Sequence, residues 1–330
     1  MANERMVDSV YTNLQVAVIG VGGWGKNHAR VLQNLGALRA VCDMDIKRAT
    51  EISKRYDVNC YSSVDNLLQD ENNLDACLIC TPTKSHYPLA TKFIEKGIHL
   101  FVEKPLSFSS KECDDLVVMA QKKKLILTAG YIERYNPVVQ DVKKIIQSKK
   151  YGDPLMMEFH RENRMPVHIT DVGIIYDTSV HDIDTAMYLF DSKPNVVFAR
   201  TGKKFHSFED FATIMLGFDY QRVAIIASNW ITPKRVRKFS AVCTDGIITG
   251  DFISQEITID DMNATIVPRR QFKEPLSLEL IAFLDAVTGK EAGSNPLVSS
   301  AEATDVTKIA ESAILSSKTG SPIYLDLTRS

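Results

Sequence analysis

Along residues 1–130, short runs rich in Val, Ile and Leu alternate with segments whose apolar side chains recur at three- and four-residue intervals. The runs predict strands, and the periodic segments predict helices with one buried face. Strands are expected at Leu14 to Ile19, Leu38 to Cys42, Leu74 to Cys80, Ile98 to Val102 and Leu125 to Ala129. The first helix carries Ala29, Leu32 and Leu35 on one face and stops at Gly36; others run from Ile46 to Tyr56, Val64 to Leu68, Tyr87 to Lys96 and Ser109 to Lys122. Such βαβ order means a parallel sheet with helices on both faces.

Beyond Pro137 the rhythm changes. A helix to about Ser148 and the turn Tyr151-Gly152-Asp153-Pro154 lead to a β-rich segment, Leu155 to His160. A helix around residues 177–190 follows, and then a β-meander: Val196 to Thr201, Phe211 to Phe218, Val223 to Trp230, Lys238 to Cys243, Gly246 to Phe252 and Glu256 to Ile259. Phe218-Asp219-Tyr220-Gln221 reads as a hairpin connection, and helices from Leu276 to Val287 and Ala301 to Ser316, broken at Asn295-Pro296, finish the chain. The expected fold is α/β: a doubly wound, Rossmann-like domain over 1–130, then an α/β domain over 131–330 with an open, mostly antiparallel sheet. The last helices are placed to pack back on the first domain.

The loops of the first domain carry the candidate chemistry. Its first strand runs into Gly20-Val21-Gly22-Gly23-Trp24-Gly25, a G-x-G-x-x-G in the strand–turn–helix context that gives the motif meaning. Gly20 permits a tight turn, Gly22 lets backbone approach a pyrophosphate, and Gly25 lets helix pack on strand; Gly23 and Trp24 complete the cradle. Asp43 ends the next strand, about 20 residues on, where a carboxylate accepts hydrogen bonds from the adenosine ribose and repels a 2′-phosphate, favouring NAD over NADP. Asp43 and Asp45 also precede a helix and suit its cap. Thr81-Pro82-Thr83 and the run Leu100 to Val102, ending in Glu103-Lys104-Pro105-Leu106, leave neighbouring strands at their carboxyl ends, where open α/β sheets bind ligands. Charges there are costly to bury unless paired or used, which makes Lys104 the first candidate for chemistry. His86 either flanks the cofactor or is a surface residue at a helix start, and His28 packs or caps locally.

In the second half, at ~100° per residue Asp177, His181 and Asp184 fall within ~60° of one another on a helix. Val180, Ile183, Met187 and Phe190 form a separate apolar stripe. Spacing alone is also compatible with Asp177 as a cap, His181 as a satisfied histidine and Asp184 as an arginine's partner. No further ligand cluster accompanies them, and no metal is expected.

Composition narrows the class. A length of 330 residues, at ~150 per domain, suggests two domains. The net charge of −2 and short, scattered basic runs (Lys122 to Lys124, Lys149-Lys150, Arg269-Arg270) argue against nucleic acid. No apolar run approaches the ~20 residues that span a bilayer, and residues 1–13 are polar, so a cytoplasmic protein is expected. Six cysteines without periodic spacing fit a reducing compartment. Cys77 and Cys80 lie in a strand-like run, three apart and on opposite faces, and read as buried structural thiols.

Gly20-x-Gly22-x-x-Gly25, Asp43, Cys80-Thr81-Pro82-Thr83-x-x-His86 and Glu103-Lys104-Pro105-Leu106, in this order and spacing, resemble the glucose–fructose oxidoreductase/inositol dehydrogenase (Gfo/Idh/MocA) family. The resemblance continues through Gly130-Tyr131-Ile132-Glu133-Arg134-Tyr135-Asn136-Pro137 and covers nearly the whole chain. It implies an NAD(P)-dependent sugar or cyclitol dehydrogenase whose second domain covers the active site and often builds a homo-oligomer, a dimer or tetramer. By the same resemblance Lys104 lies beside the nicotinamide and the reacting hydroxyl, Glu103 contacts the nicotinamide ribose, and a cis bond commonly precedes Pro105. Asp177-x-x-x-His181-x-x-Asp184 is similar to the family's substrate-facing motif, with Ser179 where many members carry glycine.

Removing a hydride from a secondary alcohol needs a base for the hydroxyl proton and a partner for the developing oxyanion. His181, oriented by Asp177, is the expected base, and Lys104 the group that stabilises or relays at the same oxygen. Tyr131, Arg134 and Asn136, with Arg161 and Arg164, resemble the substrate segments of UDP-N-acetylglucosamine 3-dehydrogenases and their WlbA-like uronic-acid relatives. Arginines suit capture of a diphosphate or carboxylate and equally suit structural salt bridges. The expected reaction is NAD-dependent oxidation at C3 of a UDP-N-acetylhexosamine or its uronic acid, giving a 3-keto sugar for glycan precursor synthesis. Alternatives are an inositol or free-sugar dehydrogenase and a non-catalytic NAD-binding regulator.

Overall fold

The computed structural model describes residues 11–164, 171–219, 221–290 and 296–326. The chain forms two compact units, one of residues 1–130 with 276–300 and one of residues 131–275 with 301–330. No helix among the described residues is long and apolar enough to cross a membrane.

The first unit alternates strands and helices: β1 (Val16–Ile19), α1 (Gly25–Leu35), β2 (Leu38–Cys42), α2 (Ile46–Tyr56), β3 (Asn59–Tyr61), α3 (Val64–Asp70), β4 (Ala76–Ile79), α4 (His86–Glu95), β5 (His99–Glu103), α5 (Ser110–Lys122) and β6 (Leu127–Gly130). All six strands are parallel, in the order β3-β2-β1-β4-β5-β6. The order reverses between β1 and β4, where Ile19 pairs with Ile79, so the glycine turn and the Thr81 loop leave the sheet side by side. The central strands are buried throughout, as expected of a sheet covered on both faces. β3 is an addition to the expected strands: three residues of an edge strand, Asn-Cys-Tyr, show no apolar periodicity.

The second unit contains α6 (Pro137–Gln147), β7 (Pro154–Glu162), a π-helical turn (Ile175–Ser179) leading into α7 (Val180–Phe190), and strands β8 (Val196–Gly202), β9 (Phe211–Phe218), β10 (Arg222–Asn229), β11 (Val236–Cys243), β12 (Gly246–Asp251), β13 (Ile257–Asp260) and β14 (Thr265–Ile266). After α8 (Pro275–Val287), the chain ends in α9 (Ser300–Thr319) and β15 (Ile323–Tyr324). The strands form one nine-stranded sheet in the order β14-β13-β12-β11-β7-β10-β9-β8-β15. It is antiparallel except where β7 lies parallel to β10. The meander expectation is therefore corrected: β7, earliest in sequence, is inserted between β10 and β11. Its alternation explains the placement, since Met157, Phe159 and Arg161 are buried on the face that carries α7, while Met156, Glu158 and His160 face the other way. Phe218 and Arg222 pair across the β9–β10 hairpin; Tyr220, within that turn, and Asn295, in the expected helix break, lie outside the described residues.

Candidate active site

The glycine turn is built so that side chains are excluded where backbone must be close. Gly20 has φ +83° and its amide donates to Cys42 O at 2.7 Å. A Cβ at Gly25 would lie 1.8 Å from the Gly20 carbonyl oxygen, an impossible approach for any other residue. At Gly22 the nearest atom to such a Cβ is Arg48 Nη1 at 3.6 Å, so the backbone there is bare toward an incoming phosphate. These residues fit a dinucleotide. Asp43 accepts from the amides of Val21, at 3.0 Å, and Asp45, at 2.9 Å, tying the end of β2 to the glycine turn. The helix-cap role belongs to Asp45, which accepts from Lys47 N.

The loop after β5 is held just as closely. Glu103 Oε1 lies 2.6 Å from Nε2 of the buried His28 on α1, and Oε2 accepts from the Lys104 amide at 3.2 Å. Burial alone would raise the Glu103 carboxyl, but the His28 hydrogen bond and the nearby Lys104 charge take it below the ordinary value. The Lys104–Pro105 bond is cis. His86 is not a surface residue: it is buried, with Nδ1 2.8 Å from Pro105 O and Nε2 2.8 Å from Thr81 O, and so joins the loops after β4 and β5 from behind. Ser85 Oγ donates to Thr81 Oγ1 and to Pro82 O, fixing the Thr81-Pro82 corner. Free thiols at Cys77 and Cys80 have their pKa pushed well up by burial.

In the second unit, Asp177 and His181 are the only positions between Val172 and Met187 that are not buried. Asp177 lies in the π turn, which adds a residue to that turn and replaces the even α-helical spacing expected between it and His181. Thr178 Oγ1 donates to Asp177 Oδ2 at 3.1 Å. The Tyr131 ring stands edge-on to His181, centroids 6.4 Å apart. Ser179 is fully buried and hydrogen bonded to Ser228 on β10, which accommodates its hydroxyl.

Most of the remaining expected substrate residues are engaged inside the second unit. Arg161 is 1% exposed and spent on carboxylates: Nη2 and Nε donate to Asp182 at 2.7 and 3.1 Å, and Nη1 to Glu133 at 2.8 Å. Arg134, equally buried, forks onto Asp184 and donates to Glu302 Oε1 at 2.6 Å. Neither guanidinium can clamp a diphosphate without abandoning a buried carboxylate, at a cost of several kcal/mol. Asp184 is an internal ion-pair partner of Arg134. Burial pushes the carboxyls of Asp182 and Asp184 up, with their arginines pulling the other way. Asn136 caps α6, accepting from Val138 N while donating to Glu133 and to Phe252 O. Arg164 is exposed at the end of β7. A cleft of about 590 Å³ opens between Lys143, Phe190, Asp219 and Arg222, but none of the expected site residues lines it.

Sequence reasoning missed His28, Asp182 and Glu133. For His28 a signal existed, since a histidine three residues past Gly25 on a helix packed against the sheet is placed to reach a neighbouring strand end. For the other two no local pattern distinguishes a buried partner from a solvated acid.

Comparison with known proteins agrees with this architecture. Residues 14–131 match the NAD-binding Rossmann fold of an oxidoreductase family, Gfo/Idh/MocA, and residues 139–249 match the Gfo/Idh/MocA C-terminal domain. The chain belongs to the Gfo/Idh/MocA family and is an NAD-dependent oxidoreductase. The UDP-N-acetylglucosamine 3-dehydrogenase of Acidithiobacillus ferrooxidans is 28% identical over 78% of this chain and 80% of its own. The scyllo-inositol 2-dehydrogenase (NAD(+)) of Bacillus subtilis is 26% identical over 96% and 97%. The solved structure of UDP-N-acetylglucosamine 3-dehydrogenase GnnA from A. ferrooxidans superposes with a TM-score of 0.83 at 25% identity, covering 93% of this chain and 98% of that one.

Proposed function

We propose that the protein oxidises a secondary hydroxyl of a sugar, at C3 of a UDP-N-acetylhexosamine or its uronic acid, and releases a 3-keto sugar for glycan precursor synthesis. The observation that carries this reading is the likeness to the A. ferrooxidans UDP-N-acetylglucosamine 3-dehydrogenase in sequence and in structure. NAD, when bound, supplies the hydride acceptor. His181 takes the hydroxyl proton, Asp177 orients it, and Lys104 stabilises the developing oxyanion. Tyr131 lines the histidine, and Arg164 is the arginine left to meet an anionic part of the substrate. Gly20, Gly22, Gly25, Asp43, Thr81, Pro82 and Glu103 hold the dinucleotide, with His86 and His28 bracing their loops.

A second reading, an inositol or free-sugar dehydrogenase, is favoured by one feature. The internal pairing of Arg134 and Arg161 removes two groups suited to a diphosphate. The experiment that separates the two is incubation with NAD and a panel of UDP-sugars and cyclitols, following absorbance of reduced nicotinamide, with mass spectrometry of the products. A 3-keto UDP-sugar is expected; reduction by cyclitols alone would overturn the first reading. His181→Ala should lower turnover ~10²–10⁴-fold with NAD binding intact, and Lys104→Ala should also lower it. Unchanged turnover removes the altered residue from the mechanism.

We also propose a homo-oligomer, dimer or tetramer, formed through the sheet face turned away from α7. Phe198, Met215 and Ile225 form a continuous apolar cross-strand row there, with Met215 43% exposed. Light scattering of the parent and of Met215→Glu tests this, since a monomeric parent would end the proposal.

A further inference from the structure

His181 sits on α7 between two acidic neighbours that both point inward. With ~100° between successive residues, Asp182 lies ~100° to one side of His181 and Asp184 ~60° to the other. Each is buried and held by a different arginine. Arg161, on β7, brings two nitrogens to the Asp182 carboxylate and its third to Glu133. Arg134, just before α6, forks onto Asp184 and reaches Glu302 on α9. Apolar contacts are non-directional and fix the rotation of a helix less sharply than directional bonds do. Forked charge-assisted hydrogen bonds are directional, and two of them on opposite flanks leave no direction of roll that does not break one.

We propose that Arg161 and Arg134 are positioning residues that fix the rotation of α7, and thereby the aim of His181, through Asp182 and Asp184. The surroundings support a directional rather than a merely cohesive role. The Arg161 guanidinium lies over the Phe252 ring at 4.9 Å and that of Arg134 over Tyr188 at 5.1 Å, so each is pinned in its plane as well as at its nitrogens. An apolar pair would fill the same volume and give comparable stability, but no orientation. Next to the clamp, the π turn ends at Ser179, two residues before His181. A turn with an extra residue changes the angular phase at which the following helix begins, so the clamp acts directly beside the point where the helix face is reset.

The role of His181 as proton acceptor rests on the function proposed above, so the test reads the orientation of the ring separately from turnover. Arg161→Lys keeps the charge and removes the fork; the double variant Arg161→Met with Asp182→Leu removes the pair while keeping the volume. In the full chain with NAD added, carbon-13 resonances of labelled histidines are followed against pH, with His181→Ala used to assign the signal. The expected result is a displaced His181 resonance and titration midpoint in both variants, an unchanged dissociation constant for NADH, and a fall in kcat of about 10–100-fold with little change in KM. The substrates used are UDP-N-acetylglucosamine and scyllo-inositol. A His181 signal and titration identical to the parent in Arg161→Lys, measured below both unfolding midpoints, would overturn the clamp even if the variant is less heat-stable. Should the double variant fail to fold, Arg161→Lys alone decides. A displaced signal with turnover intact would leave the clamp standing and refute His181 as proton acceptor.

Discussion

The two candidate regions solve one problem, holding polar groups still, by different means. In the first unit, Gly22, Asp43, Thr81 and Glu103 stand at or just beyond the ends of parallel strands, where the sheet ladder fixes the backbone and amides or backbone carbonyls provide most of the bracing. In the second, Asp177 and His181 stand on the π turn and α7, braced by charged side chains from β7 and the segment before α6, the latter backed by Glu302 on α9. Backbone bracing is insensitive to most side-chain changes. Charge bracing spans long separations, 50 positions from Arg134 to Asp184 and 168 to Glu302, and fails when a single partner is lost.

The sharpest way to break the contrast is at Gly25. Alanine there puts a methyl group 1.8 Å from the Gly20 carbonyl oxygen, so loss of NADH binding and a large fall in thermal stability are expected, by fluorescence titration and calorimetry. Gly22→Ala, with no protein atom nearer than 3.6 Å, should fold normally and bind NADH more weakly; equal behaviour of the two variants would contradict the description of the turn. Next comes Arg134→Met, which strands the Asp184 carboxylate and should cost about 3–5 kcal/mol in urea unfolding of the second unit, while Arg164→Met stays within about 0.5 kcal/mol.

A pH experiment separates the regions further. Burial would raise Glu71, but hydrogen bonds from Asn59, Arg39 and Tyr61 outweigh it and hold the carboxyl below its ordinary 4.5. A lowered folded pKa contributes stability that is present above the unfolded value and is lost as pH falls through the folded one. The difference in unfolding midpoint between the parent and Glu71→Gln should therefore be full at neutral pH and shrink on acidification below about 4.5. A difference that grows in acid would reverse the assignment. A modest effect is expected at Ser109, whose hydroxyl accepts from Glu112 N at 3.2 Å as the cap of α5; Ser109→Ala should cost about 1 kcal/mol in the same measurement.

How much could be read from the sequence follows the same division. The Rossmann strands, the glycine turn and the Asp43 position were legible because each is written in adjacent residues with a short-range physical cause. β3 was not, since an edge strand of three polar or small residues lacks a period. The π turn was not, since periodicity counted at one angle per residue does not register an inserted residue. Arg134 and Arg161 were visible as candidate anion binders, but whether an arginine faces a ligand or a carboxylate depends on what the fold places beside it. Here Asp184 and Asp182 are beside them, and a buried carboxylate 50 or 21 positions away along the chain leaves no trace in local pattern.

The first unit is interrupted in sequence, and that has a consequence in time. Phe101 packs edge-on against Phe283, Tyr11 donates to Asp285 Oδ1 at 2.7 Å, and Thr128 donates to Val298 O at 2.7 Å. A ribosome that has finished β6 must still make the whole of residues 131–275 before these partners emerge, a wait of roughly ten to thirty seconds at ordinary elongation rates. During that interval the nascent sheet lacks the residues that cover Phe101 and Thr128. Released fragments ending at Gly130 and at Ser300 should therefore differ in the protease resistance of residues 11–130, the longer one alone reaching that of the finished unit.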